Sequence, residues 1–435
     1  MRLALSLLSL ALLGSCQDSP PLDMDLVTSD IDHFWEAYDQ IVATEDSVAQ
    51  FNYLKELFLD KASIGQLAMI ERRDYTHERY LTTINDHPRF WASIRENTLE
   101  VEDYAAQIEA GVRQLQEWYP NLRPAGIYFT VGCLHSNGTT QGQLILIGSE
   151  LAMADATTDL SEMPQNVQDN LGPFVAANPI NDLVFLNVHE YVHTQQRYNG
   201  NDLLSQCVYE GIAEFVPTVA MGVVSPTPAI HFGPDNDDRI RELFGQQLST
   251  VYYMDWLYNN FNNEFEMRDL GYYVGYTIAE RNYDQATDKK AAIKEMIELD
   301  YRDPAVVAEY VDRSGYFEQS VAEMRAAYAE NRPAIISLGT IENGSRVVDP
   351  EIAQLQLQFS VPMDTYWRGF DYGPEGEASL LRIASVEGWD EIAQTLTVGV
   401  SLEPNRHYQM TLTANFRTPA GVRLEPYLIE FWTTA

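Results

Sequence analysis

The chain has 435 residues, 45% of them apolar, which is long enough for two domains and rich enough for a substantial core. Its 64 acidic residues against 28 basic ones leave a formal charge of −36. A surface of that sign repels nucleic acid and anionic lipid, so no nucleic-acid partner is expected, and it otherwise reads as a solvated acidic coat.

The first residues, "MRLALSLLSLALLGSC", carry one positive charge and then an apolar run ending at Leu13. The run is too short to span a bilayer and reads as a signal peptide. Leu13-Gly14-Ser15-Cys16 resembles the bacterial lipoprotein box, in which the cysteine becomes the lipidated first residue after cleavage. A plain secretory signal with an incidental cysteine is the alternative. Gln17, in place of Asp, implies delivery to the outer membrane in that pattern. Residues 1–16 are thus expected to be a signal peptide and 17–27 a tether, with membrane contact only through a lipidated Cys16. No later segment is long and apolar enough to cross a membrane. The other cysteines, Cys133 and Cys207, either pair in an oxidising compartment or remain buried thiols.

From about residue 28 to 120 the spacing predicts helices. Val101, Tyr104, Ala105, Ile108, Val112 and Leu115 recur at three- and four-residue steps, and Pro120 and Pro124 stop that helix. "AGIYFTVGCL" and "GQLILIGSE" are strand-like, with turn chemistry between them, and predict a β-hairpin over roughly 126–148. The hairpin is either a sheet edge for an extended peptide or simple structural closure. His135 in its turn is a candidate substrate contact or an ordinary turn residue. Helical spacing returns in two pieces over 180–222, and further helices are expected over 237–330. After "NRPAIISLGT" the period becomes two. Leu355, Leu357 and Phe359 alternate with glutamines, and Leu396, Val398 and Val400 with threonines and Gly399. Met410, Leu412, Ala414 and Phe416 follow the same rule, and turn signals separate the runs. This predicts a strand-only module the size of a β-sandwich. "DPEIAQLQLQFSVPMD", "LEPNRHYQMTLTANF" and "AGVRLEPYLIEFWTT", in that order, resemble bacterial Ig-like domains.

The chemistry is concentrated in "NDLVFLNVHEYVHTQQ". His189 and His193 lie one helical turn apart on one face and can point at one ion, while Glu190 can reach a water on that ion. Asn181 or Asp182 can cap the helix. A polar stripe with two satisfied histidines is the plain alternative. In the next helix, "YEGIAEF" places Glu210 and Glu214 four apart, embedded among Val208, Ile212, Ala213, Phe215 and Val219. A pair of ordinary surface glutamates is the plain alternative, yet carboxylates in so apolar a helix need partners. Zinc hydrolase sites take three protein ligands and leave the fourth position open. Glu210 can supply the third, and Glu214 can accept the free N–H of a ligand histidine. The remaining histidines, His33, His77, His87, His231 and His407, lack partner spacing.

A His-Glu-x-x-His helix followed by a helix bearing Glu-Gly-x-x-Glu resembles the gluzincin metallopeptidases. "HEYVHTQQ", "YEGIAEF" and "GYYVGYTIAE" together look like a group of predicted zinc-dependent bacterial proteases, a resemblance that spans at most residues 126–283. It implies Zn²⁺ on His189, His193 and Glu210, Glu190 as general base, and Glu214 behind the ligands. A tetrahedral oxyanion needs a further donor. "DLGYYVGY" offers Tyr276, with Tyr273 behind it, although aromatics at helical spacing are more often core. Gly271 and Gly275 share a face that permits close helix approach.

The expectation is therefore an α+β chain. Residues 28–332 form a mostly helical zincin-like domain with a small sheet, and 333–435 an all-β Ig-like sandwich. The function expected is a lipid-anchored zinc metallohydrolase of the bacterial cell envelope acting on a peptide or protein substrate. A binding lipoprotein on a protease-like scaffold, without hydrolysis, is the rival reading, and a hydrolase for a non-peptide amide a third.

Overall fold

The structure is a computed structural model that describes residues 24–197, 199–261 and 263–435. The expected signal peptide, the lipidated Cys16 and the tether as far as residue 23 lie outside the described residues. Among the described residues no helix is long and apolar enough to cross a membrane. The fold is α+β, with two compact units. The first takes the chain through Arg197 together with Phe215–Pro226 and Asp288–Glu298. The second takes the stretch that follows, as far as Glu214, together with Thr227–Thr287 and Leu299–Ala435.

In the first unit, short helices run from Ser29–Ile41 to Pro88–Leu99. Several begin at side-chain caps: Asp46 accepts from Val48 and Ala49, Ser63 from Gln66, and Thr76 from Arg79. Phe34, Phe58 and Trp91 are fully buried at their centre, with rings in edge and tilted contact. The helix expected from Val101 is split. Val101–Tyr104 is a 3₁₀ turn, and α1 (Ala105–Trp118) follows it and stops just before Pro120.

Strands β1 (Leu26–Val27), β2 (Gly126–Thr130), β3 (Gly138–Gln141) and β4 (Leu144–Gly148) form one sheet in the order β1-β2-β4-β3. The hairpin expected over 126–148 is corrected here. β2 and β4 run parallel, Ile127 opposite Ile145, and the antiparallel partner of β4 is β3. The sequence "GTTQ", read as turn chemistry, is itself a strand. Thr139 and Thr140 are β-branched and suit it. Gly142, at φ +63°, makes the tight reversal that a larger residue resists.

In the second unit, helix Val321–Asn331 packs against helices Asp237–Gln247 and Pro304–Ser314, and a strand-rich region follows. The helices expected over 237–330 are interrupted over 248–269, whose described residues are irregular apart from a 3₁₀ turn at Tyr253–Asp255. After Asn331 come β5 (Ile335–Ser337), β6 (Gln354–Phe359), β7 (Phe370–Asp371), β8 (Ile383–Trp389), β9 (Thr395–Val400), β10 (His407–Leu412) and β11 (Tyr427–Trp432). They form two antiparallel sheets, β5-β6-β9-β8 and β11-β10-β7. Leu355, Leu357 and Phe359 from one sheet and Met410, Leu412 and Phe431 from the other join one apolar cluster. The period-two alternation has its cause here, since β6, β9 and β10 send every second side chain into that cluster.

Candidate metal centre

Helix α2 (Leu183–Gln195) carries the histidine motif and is buried on nearly every side, as an all-round apolar pattern demands. Asp182 sits at its N-cap position but makes no side-chain capping hydrogen bond, contrary to the capping role expected for Asn181 or Asp182. The helix is fixed by its flank and its far end instead. Gly111 of α1 lets Val188 and Val184 approach so closely that a Cβ there would come within 2.9 Å of Val188. The Gln195 side chain accepts from the Arg123 N–H at 2.7 Å and donates to the Arg123 carbonyl at 3.1 Å.

His189 and His193 are buried one turn apart, with Nε2 to Nε2 only 3.2 Å. Gln196, at the C-cap of α2, places Oε1 2.7 Å from His193 Nδ1. That carbonyl oxygen only accepts, so Nδ1 carries the proton and Nε2 presents its lone pair toward His189. The contact of Gln196 on His193 is one that pattern reasoning missed, although Gln196 stands inside the quoted stretch.

Helix α3 (Leu203–Met221) carries Glu210 and Glu214, both buried. Glu210 Oε1 accepts the hydroxyl hydrogen of Tyr258, and Glu214 Oε1 accepts that of Thr227 at 2.7 Å. Helix α4 (Leu270–Gln285) crosses α3 at the expected glycines. A Cβ on Gly275 would lie 1.7 Å from the Cys207 carbonyl oxygen, and one on Gly211 only 2.1 Å from Gly275 backbone. Only hydrogen fits at this crossing. The Tyr276 backbone nitrogen lies beside Gly211, the neighbour of Glu210, and the Tyr276 side chain is half-buried. Tyr273 is buried, and its hydroxyl donates to Asp237 Oδ1 at 2.9 Å, as does that of Tyr316. Burial, with Asp237 accepting, pushes the Tyr273 hydroxyl up to about 12. Burial, reinforced by Glu210, holds the Tyr272 hydroxyl well above its ordinary value, so it stays protonated.

One ligand atom from each of His189, His193 and Glu210 lies within 4.8 Å of the other two. Nitrogens bound at about 2.0–2.1 Å in tetrahedral array stand roughly 3.3 Å apart, and the imidazole pair is at 3.2 Å. Two neutral imidazoles alone can share one hydrogen bond. A buried carboxylate in the same cluster is matched better by a cation. The donor set fits, and this buried His-His-Glu group can hold a metal ion.

Glu190 is also buried, and its Oε1 lies against the start of β3, where a Cβ on Gly138 would come within 2.8 Å of it. The loop leading from β2 to Gly138 is pinned by Glu150, whose fully buried carboxylate accepts from the N–H groups of Gly132 at 3.0 Å and Leu134 at 3.3 Å. Burial pushes Glu150 up to about 7, with those hydrogen bonds pulling the other way. His135, in the same loop, is exposed. Cys133 and Cys207 are both buried free thiols, so the pairing considered for them does not occur. Burial raises both thiols, reinforced by Glu150 at Cys133 and by Glu210 at Cys207.

No family model matches the sequence, and no curated protein matches it. Solved structures show distant likeness. An S-layer protein, rSbsC(31-844), is 14% identical at TM-score 0.18, covering 62% of this chain and 44% of that one. Surface layer protein SbsC, domains 1–6, is 14% identical at TM-score 0.18, covering 94% and 45%. The catalytic module of the metalloprotease ZmpA from Clostridium perfringens is 9% identical at TM-score 0.20, covering 94% and 74%. The chain spans less than half the length of the two S-layer structures. Superpositions this loose assign neither fold nor function.

Proposed function

We propose that the protein is a zinc-dependent hydrolase that cleaves an amide bond in a peptide or protein, anchored at the bacterial cell envelope through a lipidated Cys16. The observation that carries this reading is the convergence of His189, His193 and Glu210, all buried, within 4.8 Å. Two imidazoles and one carboxylate are the ligand set of hydrolytic zinc sites, which keep a fourth position open. When bound, zinc supplies Lewis-acid polarisation of a carbonyl and of a water.

The residues of the chain supply the rest. Glu190, one position after His189, takes a proton from the attacking water at a carboxylate oxygen and returns it to the leaving nitrogen. Gln196 holds His193 in the tautomer that offers Nε2. Tyr276 is the better candidate for the donor that steadies the oxyanion, because the hydroxyl of Tyr273 is directed at Asp237. The leader ending at Cys16 supports the anchor on sequence grounds alone.

Glu190→Gln tests the reading. The variant should retain the parent's zinc content by elemental analysis and cleave a peptide library about 10²–10⁴-fold more slowly, the usual worth of a general base. Parental cleavage rates in that variant would end the proposal.

A further inference from the structure

The carboxylate of Glu210 is held by a residue from outside its own helix. The Tyr258 hydroxyl donates to Glu210 Oε1 across 48 residues of sequence. Tyr258 has φ +58°, a left-handed backbone that a bulky residue adopts only when its surroundings impose it. The surroundings are visible on both sides. Leu257 is fully buried, and the Trp256 carbonyl accepts from Gly271 at the start of α4 at 2.9 Å. Asn259 donates to the Asp255 carbonyl at 2.8 Å and accepts from the Asp269 N–H at 2.7 Å.

On the other side stands the strand-rich region. Arg423 grips the Asp255 carboxylate, its Nε 2.9 Å from Oδ2 and its Nη2 2.8 Å from Oδ1. Arg417 adds a second cation at 3.6 Å. The Arg423 side chain is only 12% exposed, so the pair is far less screened than a surface ion pair. A second strut runs nearby: Gln247 donates to the Ala420 carbonyl at 2.7 Å and accepts from Trp256 Nε1 at 3.2 Å.

We propose that Tyr258 is a positioning residue for Glu210, and that the strand-rich region, through Arg423 on Asp255, keeps it there. This rests on the reading of Glu210 as a metal ligand. The C-terminal region is then part of the metal centre's support and not merely an appended module. Groups that orient ligands govern metal affinity about 10–100-fold, so the effect is measurable without turnover.

The test uses Co²⁺ as the probe on the full chain, with affinity read by competition against a chromophoric chelator and the cobalt visible spectrum recorded alongside. Tyr258→Phe, which removes one oxygen, should weaken Co²⁺ binding about tenfold and alter the spectrum. Arg423→Gln should do the same, and Arg423→Lys should recover part of the loss. The double variant Tyr258→Phe/Arg423→Gln should bind no more weakly than Tyr258→Phe alone, since both act through one contact. Parental affinity in Tyr258→Phe overturns the positioning role, even if Arg423→Gln fails to fold. Parental affinity in Arg423→Gln, or multiplying losses in the double variant, overturns the brace. A parent chain that binds no Co²⁺ fails earlier and overturns the metal reading as well, so the two failures are distinguishable.

Discussion

Glu150 should make the stability of the first unit fall as pH rises through neutrality. Its carboxyl is fully buried beside Gly132 and Leu134, and burial holds it at about 7 in place of its ordinary 4.5. Tyr75, Tyr80 and Cys133 stand close by, and burial raises all three, so they stay neutral over this range. The native state therefore keeps the Glu150 proton where the unfolded chain has released it. This contribution is fully present below about pH 4.5 and is lost progressively as pH rises toward 7. At about 1.4 kcal/mol per pH unit, the interval amounts to roughly 3 kcal/mol. Glu150→Gln keeps the shape and cannot ionise. Its amide can serve only one of the two N–H groups as an acceptor, a fixed cost of about 1 kcal/mol at every pH. Urea unfolding of parent and variant at pH 4.5 to 8 isolates the effect, because His135 and other neighbours titrate in both proteins and cancel. The stability difference should move by roughly 3 kcal/mol in favour of the variant as pH rises. A difference that stays constant across that range would refute the reasoning.

Two further outcomes follow from the packing. Gln196→Ala removes the acceptor on His193 Nδ1 and should weaken zinc binding about tenfold or more in the same chelator competition, with thermal unfolding of the metal-free protein little changed. Gly211→Ala forces a Cβ against the backbone of Gly275 and Tyr276, where no flexible side chain can yield. Overpacking of this kind costs about 1–3 kcal/mol and outweighs the gain in helix propensity of about 1 kcal/mol, so the urea midpoint should fall.

The parts of the centre that were legible in sequence are those set by a single helix. The i, i+4 spacing of His189 and His193 carries their shared face, and Gly271 and Gly275 announced a close approach to some neighbouring helix, which the structure makes α3. The strands of the C-terminal region were legible because one-sided burial imposes a period of two on Leu355, Leu357 and Phe359. What was hidden depends on contacts far apart in the chain. Tyr258 reaches Glu210 from an irregular segment that has no period to detect. The path from β2 into β3 is set by a buried Glu150, and nothing in "VGCLHSNG" indicates which carboxylate will hold its N–H groups. Without that anchor the turn-forming residues suggested a direct reversal, and β2 and β4 were expected to be antiparallel. Gln196 was in plain view, but a single glutamine after a histidine carries no signal until its geometry is known.

The first unit closes on a segment made late. Helix Lys289–Glu298 returns to it, with Lys290 donating to the Glu117 carbonyl at 2.7 Å and Glu298 accepting from the Tyr119 hydroxyl at 2.9 Å. During synthesis, the stretch that bears His189 and His193 leaves the ribosome well before this helix exists. A nascent chain halted before Lys289 carries the two imidazoles in an incomplete unit with apolar surface uncovered, the kind of species that chaperones retain. Completion of the first unit is thereby timed by translation through residue 298.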